Sequence, residues 1–473
     1  RTEMPDGTYS RVEFSPWQVR TFDANDTAYD PAPVNPNHSD WYRRRTDSTH
    51  PLFAQFNTTE DHRAAESIKA HADTPTQVHL DSLGREVIAI AHNRVEDTNG
   101  TYTVSGKHYR NEYYLTFTKL DAEGKPLWIC DARGNLVMQY ITPPKSNHTP
   151  LYDQPNPDWR PAYDMPSNAV PCYDIAGNLL FQHSMDAGDR WMLMDAAGKP
   201  MLAWDMNDKG VGTAQQKRLY RTEYDQLHRP TAQWLTVDTD APIMVERFEY
   251  RDTNNPDGTP NSQLAQDKTA NLLSQLVRRY DPSGLMETVR RDFKGNVQEV
   301  RRTLVRDATA PIVDWQGSVA GKLETETYVQ LTEHDALNRM TRQENWHNLG
   351  GVGAVYTPTY NERGALKSET FTLHGTATNA IEDIRYDAKG QKEYLELGNG
   401  TLTQYDYDPK TFRLKQIRTT RLRSGQAEPA FPDFRSNLAD SRVIQQLHYT
   451  YDPVGNITEI YDEAYKPAFF ANV

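Results

Sequence analysis

Apolar and polar residues alternate along many short stretches of the chain, and this period of two indicates β-strands. The alternation is clearest in residues 443–451 (VIQQLHYTY), 456–461 (NITEIY) and 296–300 (NVQEV). Residues 9–14 (YSRVEF) form another such stretch, which we expect to end at Pro16. No run of about 18 apolar residues is present, so no membrane-spanning helix is predicted. The pattern therefore predicts an almost wholly β protein.

A short motif separates many of these strands: an apolar or aromatic residue, Asp, two variable residues, Gly and a polar residue. Asp at the first position and Gly at the fourth are typical of a type I turn that ends in a left-handed residue. The Asp side chain also accepts a hydrogen bond from the backbone two residues later. We therefore assign structural turn roles to the following pairs: Asp81 and Gly84, Asp121 and Gly124, Asp131 and Gly134, Asp174 and Gly177, Asp195 and Gly198, Asp281 and Gly284, Asp292 and Gly295, Asp387 and Gly390, and Asp452 and Gly455.

Degenerate copies of the motif occur between these turns, and most of them replace the glycine. They pair Asp225 with His228, Asp335 with Asn338, Asn361 with Gly364, and Asp408 with Thr411. Asn and His are both enriched among residues with positive φ, which suits the fourth position. Many successive turn aspartates are separated by about 10, 20 or 40 residues, which indicates an array of units that pack on their neighbours. The predicted fold is a long antiparallel sheet of repeated β-hairpins.

The N-terminal part of the chain has a different pattern. Residues 59–72 (TEDHRAAESIKAHA) predict the one helix, with Thr59 as its N-cap, acids in its first turn and Pro75 after its end. Residues 30–50 are rich in Pro, Asn and Asp and predict a loop. Further polar loops are expected over the ranges 143–164, 252–263 and 424–441. We therefore divide the chain into an N-terminal segment, residues 1–75, and a repeat array, residues 76–473, continuous with it.

Composition narrows the function classes. The 473 residues include 52 Lys and Arg against 65 Asp and Glu, a net charge of −13, which argues against a general nucleic-acid binder. Hydrophobic residues make up only 37 % of the chain. The 26 Tyr, together with the Phe and Trp residues, are nevertheless too many aromatic residues for a disordered chain. This balance suits a sheet wetted on both faces. The first residues show no signal peptide, and the absence of an initial Met suggests an internal piece of a longer protein.

Candidate catalytic and metal-binding groups are weak. Asp238 with Asp240, and Asp406 with Asp408, would share a face of a strand, but turn formation and a solvated surface explain these acids better than a glycosidase pair. No zinc-protease motif occurs. A group of four histidines close together in sequence lacks metal-ligand spacing and is interpreted as surface: His50, His62, His71 and His79.

The remaining motifs have simple structural interpretations. The glycines at 350–353 lack the context of a phosphate-binding loop, and Pro256 breaks the calcium-loop spacing in residues 252–258. The run Arg43–Arg45 after Trp41 and Tyr42 is interpreted as a solvated charge run, with contact to an acidic partner as the alternative. Cys130 and Cys172 are expected to be buried free thiols, and a bridge between them is the alternative.

Several longer motifs carry a resemblance to a known family. The repeated turn resembles the RHS, or YD, repeat. More specific matches are residues 3–8 (EMPDGT), 12–17 (VEFSPW), 22–27 (FDANDT), 74–85 (TPTQVHLDSLGR), 386–391 (YDAKGQ), 398–405 (GNGTLTQY) and 411–414 (TFRL). Together they resemble the RHS shell region of the B and C components of bacterial insecticidal toxin complexes. The resemblance spans nearly the whole chain and is at repeat level only between about residues 200 and 380.

The resemblance implies a sheet that curves into part of a hollow shell around a C-terminal toxin polypeptide. Its implied partners are the remaining shell segments or C component, and a pore-forming A component bound through a propeller not visible here. It implies a secreted or extracellular location. The family places an aspartyl autoprotease near the C-terminal end of the shell, beyond residues 469–473, so we expect no catalytic residue, no metal site and no cofactor in this chain.

Two other functions remain open at this point. The chain could be an extracellular adhesion or carbohydrate-recognition module that uses YD repeats as a scaffold, or, with less support, a hydrolase on a β framework. A curved sheet with a broad cavity would favour the container. A closed solenoid with outer aromatic clusters would favour recognition, and a tight pocket with converging carboxylates would favour the enzyme.

Overall fold

A computed structural model describes residues 1–32, 36–145, 168–208, 215–310, 312–421 and 442–464. Most of the loop expected over 143–164, and all of that over 424–441, lie outside the described residues. The predicted all-β architecture is confirmed, because strands account for 52 % of the structure and helices for 8 %. No helix among the described residues is long and apolar enough to cross a membrane.

Thirty strands are present among the described residues, and 28 of them form one sheet. The first fifteen are β1 (Thr2–Glu3), β2 (Tyr9–Phe14), β3 (Gln18–Phe22), β4 (Thr76–Leu80), β5 (Glu86–Glu96), β6 (Tyr102–Val104), β7 (Lys107–Leu120), β8 (Pro126–Cys130), β9 (Leu136–Gln139), β10 (Ile141–Thr142), β11 (Val170–Pro171), β12 (Phe181–Ser184), β13 (Gly188–Met194), β14 (Pro200–Asp208) and β15 (Gln215–Tyr224). The others are β16 (Pro230–Val237), β17 (Ile243–Tyr250), β18 (Leu276–Asp281), β19 (Gly284–Arg291), β20 (Val297–Val305), β21 (Leu323–His334), β22 (Met340–Asn348), β23 (Val355–Tyr360), β24 (Leu366–Leu373), β25 (Thr376–Tyr386), β26 (Lys392–Leu397), β27 (Thr401–Tyr407), β28 (Leu414–Arg421), β29 (Val443–Tyr451) and β30 (Ile457–Asp462).

The strand order follows the chain almost without exception, and every pairing is antiparallel. The sheet runs from β1 to β5, continues through β7, β8, β9 and β12, and then proceeds in sequence to β30. Strand β6 pairs only with the start of β7, and β10 pairs with β11 as a separate ribbon. Each strand therefore finds its partner locally, which is what a repeated hairpin motif specifies.

Alternating strand direction sorts the connections onto the two edges of the sheet. The turns that begin with Asp or Asn of the repeat motif fall between β4 and β5, β7 and β8, and thereafter at every second strand pair except β17 and β18, so they share one edge. We call this the turn edge. Its ten hairpin turns begin at Asp81, Asp121, Asp195, Asp225, Asp292, Asp335, Asn361, Asp387, Asp408 and Asp452. The Asp174 turn, in the loop from β9 to β12, also lies on this edge, whereas Asp131 and Asp281 lie on the opposite one.

Four α-helices are described: α1 (Ala24–Ala28), α2 (Asp40–Thr46), α3 (Thr59–His71) and α4 (Leu264–Thr269), with a 3₁₀ turn at Phe53–Gln55. The predicted helix is α3, but the expectation of a single helix is wrong, because three shorter helices are also present. The N-cap of α3 is Thr58 rather than Thr59, because the Thr58 hydroxyl accepts from the backbone N–H of Asp61. Helix α2 corrects the expected loop over 30–50. It begins where the Ser39 side chain accepts from the N–H of Tyr42.

Apolar burial is concentrated at the N-terminal end of the sheet. One cluster lies between strands β5 to β10 and centres on Trp128, and the other lies between helices α1 to α3 around Trp41. Farther along, most strand residues are only partly buried, and in β17 every residue is intermediate in exposure. The middle of the sheet is thus a single layer with water near both faces, which fits the low share of hydrophobic residues.

The two ends of the sheet come together without forming a barrel. Among the described residues, β1 and β30 each pair with a single strand. The helices between β3 and β4 belong to the edge opposite the turn edge, yet they contact the turn-edge hairpins of β27 to β30, through Arg44 with Asp408 and Asn25 with Asp452. Opposite edges of the sheet therefore meet where its two ends come together. The sheet therefore winds as a spiral.

Candidate functional site: the turn edge and its junction with the helices

The turns of the repeat share one hydrogen-bonded geometry. In the first of them, the N–H of Asp81 donates to the carbonyl of Arg85 at 2.8 Å, and the N–H of Gly84 donates back to the carbonyl of Asp81 at 3.0 Å. The Asp81 carboxylate accepts from the N–H groups of Leu83 and Arg85 at 2.9 and 3.0 Å. These backbone donors, with desolvation acting against them, lower the pKa of Asp81. Gly84 has φ +76°, a region that an L side chain rarely adopts.

Most of the assigned turn residues occupy the same positions. The fourth residue has φ between +76° and +95° at a set of seven glycines: Gly84, Gly124, Gly134, Gly177, Gly198, Gly295 and Gly390. Two turns differ. Gly284 has φ +132° and pairs with Asp281 inside the strand ladder, and Gly455 has φ +118°. A Cβ on Gly284 would lie 2.2 Å from the carbonyl oxygen of Thr303, so close backbone packing requires glycine there.

The degenerate copies use other residues in the left-handed position. His228 and Asn338 have φ of 61° and 63° and occupy the fourth position of their turns. In the Asp408 turn, the residue with positive φ is Phe412, one residue after Thr411, because this turn is longer by one residue. The N–H of Phe412 donates to the carbonyl of Asp408 at 2.8 Å.

The tyrosine before the turn aspartate links neighbouring hairpins, a role that the sequence motif does not reveal. Its hydroxyl donates to a backbone carbonyl just after the preceding turn on the same edge. Tyr386 reaches the carbonyl of Leu366 at 2.8 Å, and Tyr360 reaches that of Met340 at 2.7 Å. Three more copies make the same bond: Tyr173, Tyr224 and Tyr407. The spacing of Tyr-Asp from one copy to the next is the only signal of this bond in the sequence.

Basic side chains add a second link along the turn edge. The Arg363 guanidinium donates to the carbonyls of Asp387 and Ala388 in the next turn, at 3.0 and 3.1 Å. The Arg413 guanidinium donates to three carbonyls of the Asp452 turn, at 2.7 to 3.0 Å. Several successive turns are therefore joined to each other as well as closed internally.

The junction between helix α2 and the Asp408 turn contains a buried ion pair. Arg44 donates to the Asp408 carboxylate at 2.8 Å, and the two side chains are 1 % and 5 % exposed. The guanidinium also lies 4.2 Å over the ring of Phe56. The interpretation of Arg43–Arg45 as a solvated run is therefore wrong for Arg44 and Arg45, although Arg43 is exposed. The acidic partner of Arg44 lies 364 residues away in the same chain.

Arg45 extends the buried charge cluster toward helix α3. Its Nε lies 3.5 Å from the Asp61 carboxylate, and its guanidinium stacks on Trp41 at 4.0 Å. Burial lowers the pKa of Arg45 to about 9, although Asp61 opposes the shift. Burial by itself would raise the pKa of Asp408, but the charge of Arg44 and two backbone N–H donors outweigh it and lower that pKa. The Asp408 carboxylate is therefore ionised at neutral pH.

The junction is held at two neighbouring turns in the same way. At the first, Arg44 takes the Asp408 carboxylate while Lys410, the third turn residue, donates to Asp40 at 2.8 Å. At the second, the Asn25 side chain donates to the carboxylate of Asp452 at 3.0 Å and accepts from the N–H of the third residue, Val454, at 3.2 Å. Each docked turn is thus fixed at its carboxylate and at its third residue.

A cleft of about 460 Å³ opens beside this junction. Its walls combine the paired Arg44 and Asp408 with aromatic rings that include Phe56, Tyr449 and Tyr461. Acidic and basic groups are mixed in these walls, and Asp408 and Asp61 are paired with Arg44 and Arg45. The cleft is a seam between the helical segment and the last described strands.

The other candidate acids have structural partners among the described residues, and the side chain of His50, expected at the surface, is 8 % exposed and lies 2.8 Å from the Asp40 carboxylate. Asp406 pairs with Lys415 at 2.9 Å, while Asp408 binds Arg44, so the two carboxylates serve different partners. Asp238 lies in a turn with φ 50° and accepts from the N–H of Lys217 at 2.8 Å. Within the described ranges, no group of three or more His, Cys, Asp or Glu side chains is placed to hold a metal ion.

The two cysteines are both buried and free of any disulfide. Cys130 lies in the cluster around Trp128, where burial raises the pKa of its thiol to about 11. Burial also raises the pKa of Cys172. Neither thiol is poised for nucleophilic chemistry, because the reactive form is the thiolate.

Comparison with known proteins supports the resemblance found in the sequence. Toxin subunit YenC2 of Yersinia entomophaga is 30 % identical over 312 residues, which cover 63 % of this chain and 29 % of the relative. Toxin subunit YenC1 of the same organism is 29 % identical over 307 residues, 63 % of this chain and 28 % of the relative. The resemblance to toxin-complex subunits is confirmed. No family model matches the chain.

Solved structures agree on the fold. The Photorhabdus luminescens Tc holotoxin pore superposes with a TM-score of 0.68 at 22 % identity, over 98 % of this chain and 17 % of that one. The TcdB2-TccC3 crystal structure gives 0.67 at 22 % identity, over 97 % and 17 %. At this identity the likeness establishes the fold, an RHS-type sheet. The chain spans less than a third of the length of the curated relatives that it matches.

Proposed function

We propose that this chain is part of a hollow RHS shell that encloses a toxin polypeptide and helps to deliver it. The observation that carries the proposal is the winding of a single-layer sheet whose last described strands return to its first helices. A sheet that buries little apolar surface on either face does not form one side of a compact hydrophobic core. Such a sheet can instead form the wall of a shell if it winds around a space and its two ends are held together by Arg44 and Asp408.

The relatives support the same proposal. Two are toxin subunits, and the solved structures are of a Tc holotoxin pore and of TcdB2-TccC3. The partners proposed here are therefore an enclosed toxin polypeptide, the remaining shell segments or C component, and a pore-forming A component. The proposed place of action is outside the producing cell.

The chain itself is proposed to be structural rather than catalytic. Its recurring aspartates are engaged in turns, and the acids at the junction are paired with Arg44, Arg45 and Lys410. We further propose that residues 1–75 and 76–473 act as one shell wall, supported by the buried Arg44–Asp408 contact between them.

The test is protection of the enclosed polypeptide from protease. The complete gene product, with any companion subunit that purifies with it, is digested before and after mild unfolding. We expect a polypeptide that resists digestion in the native particle and becomes sensitive after unfolding. Arg44→Met should raise its sensitivity because it opens the junction. Arg63→Met removes an exposed pair with Glu459 at the same junction and serves as the matched control.

Two outcomes would count against a container. If the polypeptide is digested equally fast in native and unfolded samples, the shell encloses nothing. If, in addition, the particle binds glycans or cell surfaces, the recognition module becomes the better description.

A further inference from the structure

The docking of the Asp408 turn follows a pattern that one neighbouring turn of the same edge also shows. A docked turn offers a carboxylate at its first residue and a contact at its third, as Asp408 with Lys410 shows. Helix α2 matches this pair with Arg44 and Asp40, which are four residues apart and so share one helix face. A turn with a first-position Asp, a third-position cation and an available carboxylate oxygen would fit the same kind of helix.

The neighbouring turn on the turn edge has these features. It begins at Asp387 and has Lys389 as its third residue, and β26 pairs directly with β27, so it lies about 10 Å from the docked Asp408 turn. Oδ1 of Asp387 accepts from the N–H groups of Lys389 and Gln391, both at 2.8 Å. No donor among the described residues reaches its Oδ2, the oxygen that Arg44 takes in Asp408.

In most other turns of this edge, Oδ2 of the first residue accepts a hydrogen bond from a residue of the same turn. Oδ2 of Asp335 accepts from Arg339, and Oδ2 of Asp225 accepts from Arg229, both at 2.7 Å. The Asp387 turn instead has Gln391 after its glycine, whose side chain donates to the carbonyl of Phe412 at 2.8 Å. This bond fixes the Asp387 turn to the docked turn beside it.

The charge around Asp387 favours an acidic partner that also carries one cation. Lys389 is exposed, and its ammonium lies over the ring of Phe412. The Arg363 guanidinium lies against the carbonyl of Asp387. Two cations and one carboxylate therefore face outward at this turn, whereas Asp40 already neutralises Lys410 next to it.

We propose that the Asp387–Lys389 turn continues the junction and docks a helix of an adjoining shell polypeptide, one that carries an acidic and a basic residue one helical turn apart. The basic residue binds Oδ2 of Asp387, and the acidic residue binds Lys389. This inference rests on the proposed shell function, because it assumes that an adjoining shell polypeptide exists. It identifies the place where that polypeptide meets this chain.

The first experiment is zero-length carbodiimide cross-linking of the native assembly, read by mass spectrometry. The reagent joins an amine to a carboxylate in contact with it. The Lys410–Asp40 link is the internal positive control. We expect a second link from Lys389 to an acid of the adjoining polypeptide. Recovery of the control link, with Lys389 unlinked or linked only within this chain, would overturn the proposal.

The second experiment measures affinity for the adjoining polypeptide with Lys389→Glu. We expect at least a tenfold loss, or about 1.4 kcal/mol. Arg133→Glu is the matched control, because Arg133 is the exposed third residue of the Asp131 turn on the opposite edge; it should leave affinity within about twofold of wild type. Equal effects of the two substitutions, in variants with unchanged thermal melts, would refute the proposed site.

The two proposals fail in different ways. If the wild-type particle protects its cargo but Lys389→Glu assembles normally, only the docking inference fails. If the wild-type chain neither binds an adjoining polypeptide nor protects a cargo, the shell function fails and the docking inference fails with it.

Discussion

Removal of Arg44 is the sharpest test of the junction. Arg44→Met keeps an apolar stem beside Phe56 but leaves the Asp408 carboxylate, 5 % exposed, without its cation. Breaking a buried pair by removing one partner costs about 3–5 kcal/mol. At about 1.4 kcal/mol per factor of ten, this loss would shift the opening equilibrium of the junction by at least about a hundredfold.

Hydrogen exchange at the Asp408 turn is the suitable assay, because it reports local opening without requiring the whole chain to unfold in one step. The N–H groups of Lys410 and Thr411, which donate to Asp408, are the amides to follow. Arg63→Met is the control, since its pair with Glu459 is solvent-exposed and contributes at most about 1 kcal/mol. If both variants change protection by the same small factor, the junction does not depend on the buried pair.

Three further outcomes are expected. Gly455→Val should lower the melting temperature more than Thr458→Val does. Position 455 has φ +118° and its Cβ would lie about 3 Å from the Arg413 guanidinium, whereas position 458 is an exposed strand site. Equal melting temperatures of the two variants would contradict the turn geometry. Tyr386→Phe should cost about 1 kcal/mol in denaturant unfolding, because it removes one hydrogen bond between hairpins, and an unchanged midpoint would count against that link. The pKa of Asp408 is lowered in the folded state, so its contribution to stability is full above its unfolded pKa of about 3.9 and is lost as pH falls through the lower folded value. In an acid titration that follows hydrogen-exchange protection at the junction, Arg44→Met should lack this loss. An identical acid profile in both proteins would refute the argument.

The sheet could be predicted from the sequence because each hairpin is specified locally. Asp at the first turn position and a left-handed residue near its end recur, and strand β29 matches the alternating stretch at 443–451 residue for residue. The placement of these turns on one edge could not be predicted from the motif alone, because it depends on the number of strands between successive motifs, which the strand pairings show.

The junction could not be predicted in the same way. Arg44 and Asp408 are 364 residues apart, and nothing near either residue signals the other. A run of three arginines after two aromatic residues has the composition of a solvated surface. It becomes buried only because the spiral brings a distant turn onto helix α2. Long-range contacts of this kind follow from the curvature of the whole sheet, which no local motif encodes.

The separation of turns onto one edge restricts how such a chain can change in length. The opposite edge tolerates connections of very different size, from two residues between β24 and β25 to the long segment with helices α1 to α3 between β3 and β4. Gain or loss of a single strand would transfer every later turn to the wrong edge and move Asp408 away from Arg44. Insertions or deletions in the repeat array should therefore occur by whole hairpins, in even numbers of strands.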